Sequence, residues 1–242
     1  MTDSTTIKAL RVIEALAASE EPRGVAELGR ALGLTKSNTF RILSTLAEQG
    51  YVRAHGESGR YALTLRVWEH GVKVIDRHPT RRVALPHMRM LYGKVSETIL
   101  LAALESTDVL YIGKVESDNP IRASARVGQR ASSWKTASGL SMLSFQPESV
   151  LQEIIGSAAF AGSSESELRE KVAEVKSRGY AMSVNGTRVG VSSIAAPIWN
   201  GEAAPRAAIS VSGPAERFTR ERMAEVGVLV LNSATQVSES LG

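Results

Sequence analysis

The chain has no cysteine, which rules out disulfides, thiolate metal centres and cysteine nucleophiles and gives no sign of an oxidising compartment. Histidine is scarce as well. His55, His70, His78 and His87 are the four, and all precede the strand-like runs that begin near residue 99. The half that carries those runs is therefore read as having no imidazole to activate a serine or bind zinc. Ser141, in Gly139-Leu140-Ser141-Met142-Leu143, lacks the second glycine of a nucleophile elbow, and there is neither a glycine-rich phosphate loop nor an HExxH run. Glu165, Glu167, Glu170 and Glu174 share one amphipathic stretch and read as a solvated face. No catalytic residue, metal or cofactor is expected. Aromatics make up only 5% of the chain, without the exposed clusters that stack RNA bases. No apolar run approaches the roughly 20 residues of a membrane span, and Met1-Thr2-Asp3-Ser4 starts no signal peptide. A cytoplasmic protein with no membrane partner is expected.

What is present is an ordinary core-forming composition, 43% hydrophobic over 242 residues, enough for two domains. The formal charge of +4 suits an approach to a polyanion without establishing one. It is spread evenly: 11 basic residues face 9 acidic ones up to residue 80, and 18 face 16 beyond it. Any case for nucleic acid must rest on which residues face outward.

That case begins at Gly24–Leu63. Ile7–Ala18 places Leu10, Ile13, Leu16 and Ala17 on a packing stripe, and Val25–Leu32 carries Leu28, Ala31 and Leu32 at helical spacing. Gly33-Leu34-Thr35 then breaks and restarts the helix, with Thr35 as cap, the joint expected of a helix-turn-helix. In Lys36–Gln49 the residues Phe40, Leu43, Leu46 and Ala47 are read as the buried face. Ser37, Asn38, Arg41, Ser44 and Thr45 fall on the polar side, with Lys36 in the first turn; Thr39 points nearer the core. Arg bonds guanine bidentately, Asn adenine, and Ser or Thr either, so this face can read base edges. A lone polar helix face is ordinarily just solvated. Here Gly50 ends the helix and a hairpin follows, Tyr51–Ala54 and Arg60–Leu63 around His55–Gly59, with Arg53 and Arg60 placed to meet phosphates. The order is that of a winged helix-turn-helix domain, taken as residues 4–65.

Thr64 caps a linker helix over 66–80, whose Val67, Trp68, Val72 and Val74 offer more apolar surface than one small domain needs. The remainder, 81–242, is read as α+β. It has a helix over Thr80–Val95 with Pro86 near its start or kinking it, and strands at Ile99–Leu104, Val109–Val115, Ile121–Val127, Tyr180–Val184, Val191–Trp199 and Arg206–Ser212. Helices follow at Ala137–Ser144, Ser149–Ile155, Ser164–Arg178 and Thr219–Leu241, with Ser164-Glu165-Ser166-Glu167 as a capping box. Thr136 would cap the helix from Ala137, aiming the N–H groups of Ala137, Ser138 and Gly139 outward as an anion site.

The runs GVAELGRALGLTKSNTFRILSTLAEQGYV, RGYAMSVNGTRVGVSSIAAPIW and AAISVSGP resemble the isocitrate-lyase-regulator (IclR) family of bacterial transcription factors over nearly the whole chain. The resemblance implies a GAF-like C-terminal effector domain, a homodimer or homotetramer on a double-stranded DNA operator, and a small organic acid as effector. It also implies a pocket in which Ala137, Ser138, Ser183, Ser193, Ser210 and Ser212 converge, the last two on one face by the period of two. Any one of these serines alone would more simply satisfy a backbone group. Where acidic residues commonly follow RGY, this chain has Ser183, Val184 and Asn185, and Trp134-Lys135 precede the helix start. That exchange favours an anionic effector, a carboxylate, with Trp134 placed to stack on an aromatic one. The competing expectation is a constitutive DNA-binding protein whose C-terminal domain only oligomerises.

Overall fold

In the computed structural model, which describes residues 3–186 and 188–242, the chain forms two compact units, one ending at Asp76 and the other beginning at Arg77. The first contains α1 (Ser4–Ala17), α2 (Val25–Leu32), α3 (Lys36–Glu48) and α4 (Arg66–Asp76). Its sheet is antiparallel, in the order β1 (Arg23–Gly24), β3 (Arg60–Leu63), β2 (Val52–His55). β1 was not anticipated: two residues carry no periodicity, and only pairing to Tyr61 and Arg60 makes them a strand.

The core of this unit is Val12, Leu16, Leu28, Ile42, Leu43, Leu46 and Val52. Three expected stripes were out of phase. On α1, Leu10 and Ala17 are exposed while Val12 is buried; on α2, Ala31 is exposed and Gly29 takes its place inside. On α3 the inward row is Thr39, Ile42, Leu43 and Leu46, and Phe40 is 55% exposed. Thr39 can sit inside because its hydroxyl donates to the Thr35 carbonyl at 3.0 Å, spending its polarity locally.

The second unit is a six-stranded sheet in the order β6 (Arg130–Ser132), β5 (Asp108–Val115), β4 (Thr98–Glu105), β9 (Ala207–Pro214), β8 (Val191–Ile198), β7 (Ala181–Val184). Every pairing is antiparallel. Strands β4 and β9 are buried along nearly their whole length, so they are covered on both faces. Packed on one face are α5 (Pro79–Val95) and α9 (Arg220–Glu239). On the other, α6 (Ala137–Leu143), α7 (Glu148–Ile155) and α8 (Glu165–Arg178) share a core with Ala102, Leu104, Ala181, Ala195 and Ala208. The architecture is α+β.

Pro86 stands in the interior of α5, and Pro79 supplies its first turn. Because α5 belongs to the second unit, His78 and His87 do too, so the expectation that this half lacks an imidazole does not hold; neither lines the cavity described below. Ser164 caps α8 by accepting from Glu167 N, but the Glu167 carboxylate pairs with Lys171 at 2.7 Å, so only half of the capping box forms.

The expected strand over Ile121–Val127 is absent. Its alternation of Ile121, Ala123, Ala125 and Val127 with Arg122, Ser124 and Arg126 has the right period, yet pairing with β5 begins only where Gln129 O accepts from Tyr111 N. Two carbonyls of the segment are instead taken by side chains, Ile121 O by Arg217 Nη2 at 2.9 Å and Ser124 O by Arg188 Nη1 at 3.3 Å. These two acceptors are thereby bonded without a ladder partner. Arg217 is itself held by the buried Glu97 carboxylate (Nη2–Oε2 2.8 Å), which raises the guanidinium pKa.

Gly139 is where the packing of α6 is tightest. A Cβ there would fall on the Ser133 carbonyl and Cα, which are backbone atoms that cannot swing aside. Gly139→Ala should cost at least the 1–3 kcal/mol of ordinary overpacking, lowering the melting temperature by several degrees. Calorimetry of the wild type and this variant checks this, and an unchanged transition would contradict it.

Candidate nucleic-acid interface and ligand cavity

The joint between α2 and α3 is made by close backbone approach. Gly33 lies at φ 66°, Leu34 N donates to Gly29 O at 2.8 Å, and a Cβ on Gly29 would come within 2.9 Å of Leu34 O. Thr35 Oγ1 accepts from Asn38 N at 3.3 Å, closing the N-terminus of α3. No acidic residue stands in its first turn, which leaves the positive end of the helix dipole uncompensated and open to a phosphate. At the far end Arg66 Nη1 donates to Gln49 O at 2.7 Å while its guanidinium lies over the Tyr51 ring.

Lys36, Ser37, Arg41 and Thr45 are exposed, and Asn38 and Ser44 half-buried. Ser37, Arg41 and Ser44 follow one another at three- and four-residue steps and form the centre of the outward face. Asn38 is at its border, one turn before the buried Ile42, and Thr45 donates its hydroxyl to Arg41 O at 3.1 Å, keeping only acceptor capacity outward. On the hairpin Arg53 is exposed. Arg60 is turned back: Nη1 donates to Pro22 O at 2.6 Å and Nη2 lies 3.9 Å from Glu27. Glu27 is already engaged by Arg23 at 2.8 Å and then by Gly24 N–H, which together hold its carboxyl below the usual range.

In the second unit a cavity of about 270 Å³ opens between α6, the sheet and the 121–129 segment. Ala137, Ser138, Ser183, Ser193, Ser210 and Ser212 all line it. The period of two in β9 turns Ala208, Ser210 and Ser212 towards α6 while Ile209 and Val211 are buried among the opposite core. Ser138, Ser210 and Ser212 form a floor at 3%, 2% and 6% exposure. Ser138 Oγ donates to Ser210 Oγ at 3.1 Å, which links α6 to β9, and Ser183 Oγ donates to Lys135 O at 3.2 Å, which closes the wall beside Gly186.

Two expectations fail here. Gly139 does not line the cavity, because its N–H is taken by the capping Thr136 Oγ1 at 3.0 Å and its Cα faces Ser133. Trp134 packs edge-on against Phe160 at 5.0 Å in a neighbouring groove, with Lys135 Nζ 4.3 Å over its ring. The aromatic side chain that lines the serine cavity is Tyr111. Sequence reasoning also missed Arg130, Arg188 and Gln129, which reach the cavity from the edge strand β6 and from the turn after β7; no local pattern marks them, since only the tertiary fold brings them together. Arg130 and Arg188 are the arginines of its lining, Lys135 contributes its backbone carbonyl to the wall while its ammonium lies over Trp134, and among the described lining residues there is no carboxylate.

The family model described as the bacterial transcriptional regulator IclR C-terminal matches residues 72–239, and the IclR helix-turn-helix model matches residues 5–56. The chain belongs to the IclR family. The HTH-type transcriptional regulator KdgR of Escherichia coli (strain K12) is 29% identical over 245 residues, spanning 99% of this chain and 93% of its own. The crystal structure of Thermotoga maritima IclR superposes with a TM-score of 0.76 at 26% identity over 98% of both chains. An IclR homolog complexed with 4-hydroxybenzoate, from Microbacterium hydrocarbonoxydans, has the same fold, with a TM-score of 0.80 at 24% identity over 98% of this chain and 99% of that one. The protein is thus an IclR-type DNA-binding transcriptional regulator, and the relatives it matches are regulators. Among the described residues no helix is long and apolar enough to cross a membrane.

Burial raises the Tyr111 phenol above its usual pKa, and donation to Asp118 raises that of Tyr92. A phenol that stays protonated in the folded state while its unfolded counterpart ionises leaves the unfolded chain with fewer protons, so stability falls as pH rises through about 10. Denaturant melts between pH 9 and 11 on wild type and Tyr111→Phe should show a shallower fall in the variant; identical slopes would contradict the assignment.

Proposed function

We propose that this IclR-family regulator couples a small organic acid, held in the serine cavity, to the affinity of α3 for a double-stranded operator. The observation that carries this is the polarity of the cavity: buried hydroxyls at its floor, cations at its rim, and no carboxylate among the described residues that line it. A hydroxyl floor hydrogen-bonds a carboxylate or hydroxyl group, and Arg130 and Arg188 supply the charge complement. The volume, about 270 Å³, is at the small end of ligand sites. Tyr111 offers a ring face to an aromatic acid, and 4-hydroxybenzoate, the ligand of the Microbacterium homolog, combines the ring, the carboxylate and the hydroxyl that such a site can bind.

On the DNA side, Arg41 with Ser37 and Ser44 reads base edges, with Asn38 and Thr45 at the borders, while Lys36, Arg53 and Arg60 hold phosphates. Arg60 must leave Pro22 O or share its donors to do so. One reading helix contacts too few pairs to specify a genomic site, so the working form is a homodimer or tetramer on a pseudo-palindromic operator. The open face of α4 supports this reading: no described residue of the helix is buried, and Trp68 is 66% exposed. The second reading, a C-terminal unit that only oligomerises, gives no reason for two arginines to line a hydroxyl-floored cavity that has no carboxylate among its described residues.

A thermal-shift panel of small mono-, di- and aromatic carboxylates separates the two readings. A ligand at 100 times its Kd stabilises by about 2.7 kcal/mol, and Ser138→Leu, which fills the floor, should abolish the shift. If no carboxylate moves the transition, the oligomer-only reading stands instead. For the DNA face, Arg41→Ala should cost about 1–3 kcal/mol and relax preference at one base pair. Lys36→Ala should weaken all sequences alike and reduce the salt slope by about one. Anisotropy titrations on selected and random duplexes decide it, and equal losses on both for Arg41→Ala would count against the reading role.

A further inference from the structure

Phe40 is the large apolar side chain of α3 that the core does not use. The inward row takes Thr39, Ile42, Leu43 and Leu46; Phe40, one residue on from Thr39, is turned about 100° further round the helix. It is 55% exposed, beside Ser37 three residues before it, Arg41 next to it and Ser44 four residues after. We propose that Phe40 reads thymine, its ring meeting the 5-methyl group in the major groove and fixing a T·A pair next to the base contacted by Arg41. The proposal rests on α3 being the reading helix.

A single exposed apolar residue ordinarily calls for no explanation. What sets this one apart is its rim. Lys36, Ser37, Arg41 and Ser44 surround it with cations and hydroxyls, and the first turn carries no acidic residue. A protein partner for Phe40 would be served by further apolar surface around it, whereas this rim suits a polyanion whose groove offers a polar edge with an apolar spot in it. In the major groove that spot is the thymine methyl; the other features of the base edges are donors and acceptors. Spacing agrees. From Ser37 to Ser44 the helix rises about 10 Å at 1.5 Å per residue, roughly three base-pair steps at 3.4 Å each, with Phe40 and Arg41 at the middle. Phe40 would therefore act on the same short run of pairs as Ser37, Arg41 and Ser44, supplying an apolar contact that their polar groups do not.

The test uses the full chain and a duplex enriched from a random-sequence library, resynthesised with deoxyuridine replacing each thymidine in turn. Removing the contacted methyl should weaken wild-type binding about fourfold, the equivalent of one buried methyl(ene) group, at one or two positions per half-site. Phe40→Ala should bind the thymidine and deoxyuridine duplexes equally at those positions, with its salt slope and its affinity for random DNA unchanged. Its melting curve should match that of wild type, since the core row is untouched. A wild-type protein indifferent to uracil at every position would overturn the proposal, as would a Phe40→Ala variant that keeps the full uracil penalty. Enrichment of no duplex at all would overturn the assignment of α3 itself, and the two failures are thereby told apart.

Discussion

The pairing of β4 with β9 is the constraint on which the second unit depends. Both strands are buried on both faces, so a slip of one residue would exchange every side chain between two chemically different layers. In the observed register Leu100 faces Ser210 and Leu101 faces Ile209. Leu100, Ala102, Ser210 and Ser212 consequently point to the α6 side, and Ile99, Leu101, Ile209 and Val211 are left for the opposite core. Most hydroxyls admitted to a buried layer are hydrogen-bonded there. Ser138 meets Ser210 because α6 approaches closely enough, and α6 can do so because Gly139 has no side chain to hold it off Ser133. The same register that completes the core thus builds the floor of the cavity.

The rim follows a different logic. It is made by the edge strand β6 and by segments outside the regular sheet, 121–129 and the turn after β7, and two carbonyls of 121–129 are held by the long side chains of Arg217 and Arg188. Arg188 both lines the cavity and holds Ser124 O, so a ligand carboxylate that reaches Arg188 competes directly with the covering segment for its donors. The floor is fixed by packing, while the rim is held by a few exposed hydrogen bonds that are weak individually. A site with that division can respond to a ligand without disturbing the core.

Legibility in the sequence followed the range of the forces involved. Helix ends marked by Thr35, Gly33, Thr136 and Ser164 act within one turn and were read within a residue or two. The serines of β9 came from the family resemblance, and the period of two added only that Ser210 and Ser212 share a face. The phase of α3 was not readable, since Phe40 and Ile42 are equally apolar and only the local bond that makes Thr39 acceptable inside tips the helix by one position. Residues 121–127 misled for a related reason: their alternation is that of a strand, but the carbonyls of Ile121 and Ser124 are claimed by Arg217 and Arg188 from 96 and 64 residues away. Arg130 and Arg188 join the cavity through tertiary structure alone, and Trp134 leaves it because Phe160 offers a better-packed neighbour.

Central to this account is that the cavity and the reading helix share one equilibrium, and linkage states what that requires. A ligand that changes operator affinity by some factor must have its own affinity changed by the operator by the same factor, usually 5- to 150-fold. The direct measurement is a pair of titrations: operator Kd with and without saturating carboxylate, and carboxylate Kd with and without saturating operator. Equal factors, both well away from one, are the predicted result; a carboxylate that binds tightly while both factors remain at one would contradict the coupling.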